Sequence, residues 1–190
     1  AGCVATPGVA RALHAADGAV LQVVGARDLA RAEALGPARA VTSYADVCSA
    51  DDVDAVYLSL PNDDHLPWVL AALEAGKHVL VEKPAFPRTE DFLNVMEARD
   101  RAGRVVLVGE NDHYKPLAVC LRRLLAEGAI GDMVFGHFVT IAKRLKTADD
   151  WRNDEEMAGG DAFFEEGIHW LHIAGSLGPS ITRIHGYRPG

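Results

Sequence analysis

Cysteine is scarce in this chain of 190 residues: Cys3, Cys48 and Cys120 are an odd number at wide spacing, which argues against both a disulfide framework and a zinc site. They are read as buried thiols that act as small apolar side chains. Long hydrophobic runs are missing too, and none approaches the ~18 residues a membrane helix needs. Basic residues are outnumbered by acidic ones, 19 to 27, for a net charge of -8, and they form no stripe. A nucleic-acid partner and an anionic membrane surface are therefore not expected. Residue 1 is alanine and no charged stretch precedes an apolar core, so no secretory signal is read and the cytoplasm is the expected compartment. Repeats and low-complexity tracts are absent.

What is present is ordinary globular composition, 49% apolar and 24% charged, in a length that suits one or two domains. Valine-rich runs alternate with helical patterns through the first half, the arrangement of βαβ units around a parallel sheet. Strands are expected at residues 19–25, 53–60, 78–81 and 105–108. Asp28 and Thr89 are placed to cap helices, and Gly76 and Gly103 to end them. Leu66, Val69, Leu70 and Leu73 recur at helical spacing, as do Phe92, Val95 and Met96. Beyond residue 112 the alternation stops. A helix carrying Leu117, Leu121, Leu124 and Leu125 runs to Gly128, strands are expected at 133–141 and 181–187, and a helix at 163–177 follows an irregular polar stretch.

The densest signal lies between Val56 and Pro84. A strand ends in Pro61-Asn62-Asp63-Asp64-His65, a helix follows, and the next strand ends in Glu82-Lys83-Pro84. That puts a lysine at the carboxyl end of a strand, where open α/β sheets bind ligands. Pro84 is read as a cis or sharply turned peptide that aims Lys83 inward. Further on, Glu165 and His169 are four apart and share one face of a helix. His172 lies one turn beyond, but the spacing is not His-Glu-x-x-His, and no metal site is read there. His113, His137 and His185 carry no comparable context.

The Pro61-Asn62 turn with His65, the Ala75-Gly76-Lys77-His78 stretch and Glu82-Lys83-Pro84 resemble the nicotinamide-dependent oxidoreductase family of glucose-fructose oxidoreductase, inositol dehydrogenase and the rhizopine-catabolism protein (Gfo/Idh/MocA). Trp151-Arg152, Gly159-Gly160 and Glu165-Glu166-Gly167-Ile168-His169 resemble the same family's active-site helix. The resemblance implies a Rossmann-type doubly wound parallel sheet over residues 1–112, lacking its first strand, and a partial α+β substrate domain with an open sheet over 113–190. On this reading the chain is a fragment of an enzyme, truncated at both ends and homo-oligomeric at full length.

The implied reaction is hydride transfer between NADP or NAD and a carbinol or carbonyl of a sugar, cyclitol or related polyol. Such a reaction needs a group that takes the hydroxyl proton and returns it. Lys83 is the candidate acid/base, His169 its proton partner and Glu165 the orienting carboxylate, standing where the family has aspartate. Asp161 stands where the family favours glycine. The cofactor set begins with Gly2 and Ala5, which resemble the family's phosphate loop and also read as a flexible glycine at a chain end. Arg27, after the second strand, favours NADP, whose extra phosphate suits a guanidinium. Pro61, Asn62, His65, Glu82 and Lys83 are expected along the nicotinamide ribose, with helix capping the other reading for Asn62. Arg152 is expected against cofactor or substrate, or else as a surface arginine beside a tryptophan that anchors a long loop. The alternative function is a nucleotide-binding regulatory or sensor protein of the same fold without turnover.

Overall fold

The computed structural model describes residues 6–139, 147, 150–158, 162–178 and 180–187. The chain divides into two units, Ala1–Gly109 with Lys146–Asp161, and Glu110–Leu145 with Ala162–Gly190. The segment 146–161 belongs to the first unit.

The first unit alternates helices and short parallel strands: α1 Thr6–Ala15, β1 Val23–Gly25, α2 Leu29–Glu33, β2 Arg39–Val41, α3 Tyr44–Ser49, β3 Ala55–Leu58, α4 His65–Glu74, β4 His78–Val81, α5 Thr89–Ala102 and β5 Val106–Val108. β1 pairs with β2, while β3, β4 and β5 form a separate sheet in that order, every pairing parallel. Edges of β1 and β3 line one apolar cleft of about 620 Å³, walled by Val23, Val24, Val56 and Leu58. The strands are shorter than the apolar runs that announce them, because a strand extends only as far as its ladder of hydrogen bonds.

Local chemistry explains most boundaries. The Asp28 carboxylate accepts from the Ala30 amide and the Ser43 hydroxyl from the Asp46 amide, each satisfying a donor that the helix start leaves open. Gly103 closes α5 at φ +61°, a left-handed conformation that a side chain resists. Thr89 does not cap α5 as expected. It is the first helical residue, Arg88 holds the cap position without a side-chain bond, and Arg88 instead grips the Asp91 carboxylate from Nε and Nη2, both at 3.2 Å.

The core of this unit lies between β3, β4 and the helices α4 and α5, where Val56, Val69, Leu73, Val79, Val81 and Val95 are buried. Burial of each such side chain contributes about 1.5–3 kcal/mol. On α5 the buried positions are Asp91, Val95 and Ala98, whereas the expected Phe92 and Met96 keep 40% and 49% exposure. A carboxylate satisfied by Arg88 takes an inward position that hydrophobicity would give to Phe92, and Phe92 meets Phe86 edge-on at 5.0 Å.

In the second unit, α6 Pro116–Ala126 and α8 Ala162–Ser176 carry the order. Leu117 is mostly exposed and Ala118 is the buried residue of α6. The strands expected at 133–141 and 181–187 are not found over 133–139 and 181–187, and residues 140 and 141 lie outside the described residues. Val134, Phe135 and Tyr187 are instead highly exposed. A β-prone sequence becomes a strand only when a second strand takes its hydrogen bonds, and among the described residues none does. Cys48 is buried as expected, but Cys120 is exposed. Burial pushes the Cys48 thiol above its ordinary pKa despite the nearby Lys77. No helix among the described residues is long and apolar enough to cross a membrane.

Candidate active site

Lys83 leaves β4 at its carboxyl end, half-buried, and the Lys83-Pro84 peptide is cis. Two neighbours fix the turn. The Glu82 Oε1 accepts from the Tyr57 hydroxyl at 2.6 Å, and its Oε2 accepts from the Lys83 amide at 3.3 Å. Burial, reinforced by the Glu82 carboxylate, raises the Tyr57 phenol far above its ordinary pKa, so it stays a donor. Gly109 leaves room for this carboxylate: a Cβ there would come within 3.4 Å of the Glu82 carboxyl atoms.

His65, at the start of α4, is fully buried. Its Nδ1 lies 3.1 Å from the Pro84 carbonyl and 3.0 Å from that of Ala85, and its Nε2 lies 3.1 Å from the carbonyl of Leu60. Carbonyl oxygens only accept, so whichever ring nitrogen carries hydrogen donates into the backbone. The expected contact of His65 with a nicotinamide ribose thus meets a ring with no exposed edge. Its place in the fold is behind the site, tying the exit of β3 to the turn that carries Lys83.

Pro61 leads a 3-10 turn, Asn62–Asp64, in which Asn62 is buried and its Nδ2 donates to the Ala158 carbonyl at 2.7 Å. The Asn62 amide therefore links this turn to the short helix α7 Glu155–Ala158, and helix α4 has no side-chain cap. Arg27 is exposed two residues beyond β1. The Arg152 guanidinium stacks 4.3 Å from the centre of the Trp151 ring, with Nη1 3.4 Å from Asp150 Oδ1. Gly2, Ala5 and Asp161 lie outside the described residues.

The second unit holds its own cluster. Glu110 follows β5 and Gly109, and it is buried. Its Oε1 accepts from the Asp112 amide at 3.1 Å and faces His169 Nδ1 at 2.6 Å. Glu165 is buried one turn before His169 on α8. Asp112 pairs with Lys115 at 2.6 Å. Three residues further along both segments, His113 Nδ1 lies 2.9 Å from His172 Nε2. Desolvation, with Arg122 and His172 nearby, holds the His113 ring below the ordinary imidazole range. Ligand atoms of Glu110, Asp112 and His169 lie within 4.8 Å of one another, but the 2.6 Å contact to His169 and the Lys115 pair already use them as hydrogen-bond partners.

Glu110 and Tyr57 escaped the sequence reading. A signal for Glu110 exists: it is a carboxylate just past a strand end, the same kind of position that singles out Lys83. Tyr57 sits inside a strand, where an aromatic reads as packing.

Residues 1–110 match the family model described as oxidoreductase family, NAD-binding Rossmann fold, and residues 119–188 match that of the GFO/IDH/MocA C-terminal domain. The chain is 35% identical over 181 residues to dTDP-3,4-didehydro-2,6-dideoxy-alpha-D-glucose 3-reductase of Streptomyces violaceoruber, covering 95% of this chain and 52% of that protein. Identity is 38% over 173 residues to inositol 2-dehydrogenase 4 of Saccharopolyspora erythraea, covering 88% and 49%. A solved structure, KijD10, a 3-ketoreductase from Actinomadura kijaniata in complex with NADP and TDP-benzene, superposes with a TM-score of 0.76 at 28% identity, covering 92% of this chain and 54% of that one. The chain spans about half the length of the curated relatives it matches.

Proposed function

Because the chain belongs to the GFO/IDH/MocA family of oxidoreductases, we propose that it is part of an enzyme that moves a hydride between a nicotinamide cofactor and a carbinol or carbonyl carbon of a sugar, cyclitol or related polyol. The observation that carries this reading is the Lys83 turn, a half-buried amine at the carboxyl end of a central parallel strand, on a turn held from two sides by Glu82 and His65. An ordinary surface lysine needs no such support.

The donor set on this side of the strands suits a dinucleotide. Arg27, exposed past β1, offers a planar fork for a ribose phosphate, and this favours NADP, the cofactor in the KijD10 complex. When bound, the nicotinamide supplies the hydride acceptor or donor. The Lys83 amine takes the hydroxyl proton as an alcohol is oxidised and returns it when a carbonyl is reduced. His169 is proposed as a second proton carrier, because its Nδ1 meets the Glu110 carboxylate, and a ring held at one nitrogen exchanges protons at the other.

Turnover of a sugar and polyol panel with NADP and NAD by the full-length protein, and by its Lys83→Met variant, tests the reading. The substitution is expected to lower kcat by ~10² to 10⁴, the range for a positioned acid/base, with cofactor affinity unchanged within a few fold. Unaltered turnover would remove Lys83 from the reaction.

A further inference from the structure

The carboxylate that meets the His169 ring is Glu110, which lies 59 residues away in sequence. The contact is short, 2.6 Å, and both side chains are largely withdrawn from water, at 15% and 8% exposure. Hydrogen bonds to an ionised acceptor are shorter and about twice as strong as neutral ones, and low dielectric strengthens them further. The other carboxylate of the turn, Asp112, is paired with Lys115 and gives its amide hydrogen to Glu110 Oε1. Glu110 Oε2 is buried and accepts no hydrogen bond among the described residues.

The helix is tied to the same turn a second time. His172 on α8 meets His113 on the turn that Glu110 opens, so two contacts, 169 to 110 and 172 to 113, run side by side between the helix and the turn. Among the described residues, the charged and titratable groups of this cluster are Glu110, Asp112 with its partner Lys115, and His113 on the turn, Arg122 of α6 against His113, and Glu165, Glu166 and His172 on the helix of His169.

A carboxylate on Nδ1 has a definite chemical effect. It selects the tautomer with hydrogen on Nδ1, leaves the Nε2 lone pair facing outward, and stabilises the ring when Nε2 takes a proton. We propose that Glu110 is a positioning residue that holds His169 in the Nδ1–H form with Nε2 presented for proton transfer. The proton transfer itself rests on the oxidoreductase reading above, while the tautomer does not.

The test uses the full-length protein and its Glu110→Gln, Glu110→Ala and Glu110→Asp variants. Long-range proton–nitrogen NMR reads the tautomer, with the His169 signal assigned by its loss in His169→Asn. The wild-type ring is expected as Nδ1–H and the Glu110→Ala ring as mainly Nε2–H. In steady-state kinetics, Glu110→Gln is expected to lower kcat by ~10² to 10⁴ with KM within a few fold. Its pH–rate limb should move to lower pH, since an amide stabilises an imidazolium less than a carboxylate does. Glu110→Asp, which keeps the charge, should recover most of kcat. A wild-type His169 found as Nε2–H would overturn the proposal without any variant, and so would a Glu110→Gln enzyme with unchanged kcat and pH profile. If the tautomer behaves as expected but the wild-type protein turns over no sugar or polyol, the oxidoreductase reading falls and the positioning of His169 stands.

Discussion

The Nδ1 of His65 lies 3.1 Å from the carbonyl oxygen of Pro84, across 19 residues of chain. Through this contact, the first residue of one helix holds the turn after the neighbouring strand, and that turn carries Lys83. The ring also lies 3.0 Å from the Ala85 carbonyl and 3.1 Å from that of Leu60, and a neutral imidazole donates from one nitrogen, either to the Pro84–Ala85 pair or to Leu60. Losing that donation leaves a carbonyl beside the cavity short of a donor, at a cost of about 1–3 kcal/mol.

His65→Ala is accordingly expected to lower the unfolding free energy by about 2–4 kcal/mol, combining a cavity with lost hydrogen bonds. Urea denaturation of the full-length protein measures this. A loss under about 0.5 kcal/mol, the size of an ordinary surface change, would show that the backbone does not rely on the ring.

Tyr57 gives a prediction at alkaline pH. Its phenol is raised by burial first and by Glu82 second, so the folded protein keeps this proton where the unfolded chain, with a phenol near pH ~10, releases it. The stability from this group is complete below about pH 10 and declines above it. Stability curves of wild type and Tyr57→Phe should lie apart at neutral pH and converge as pH rises past that point. A constant gap across the range would contradict the assigned interaction.

Arg27 governs cofactor choice on the proposed reading. Arg27→Ala should weaken NADP far more than NAD, because only NADP carries the phosphate that a guanidinium would grip. Fluorescence titration with each nucleotide decides it, and equal losses would assign the phosphate to another residue.

Gly25, the last residue of β1, has no room for a side chain. A Cβ there would sit 2.8 Å from Val47 Cγ2 and 3.3 Å from the Tyr44 ring. Gly25→Ala is expected to cost about 1–3 kcal/mol through overpacking, read as a lowered thermal midpoint. An unshifted midpoint would mean that α3 moves aside freely.

The alternation of valine-rich runs with helical patterns was enough to give the parallel α/β order of the first unit, since periodicity and caps act over a few residues. Strand β4 falls on the expected residues, Asp28 caps α2, and Gly103 ends α5, each for a local reason. The strands expected near 133 and 181 failed for the opposite reason. Strand propensity is local, but a strand exists only through a distant partner. On α5, Val95 is buried as expected, but Phe92 and Met96 stay half exposed, because a satisfied Asp91, invisible to hydrophobicity, takes a buried position.

Sequence by itself determined which residue types stand at the strand ends: Arg27, the Pro61-Asn62 turn, Glu82-Lys83-Pro84, and the helical pair Glu165 and His169. Only the tertiary structure decided their partners. It withdrew His65 from the surface to serve the backbone, set Tyr57 on Glu82, and brought Glu110 to His169 across 59 residues. Hydrogen bonds of 2.6 to 3.1 Å between residues so far apart arise from the folding of whole elements against one another, and no spacing along the chain encodes them.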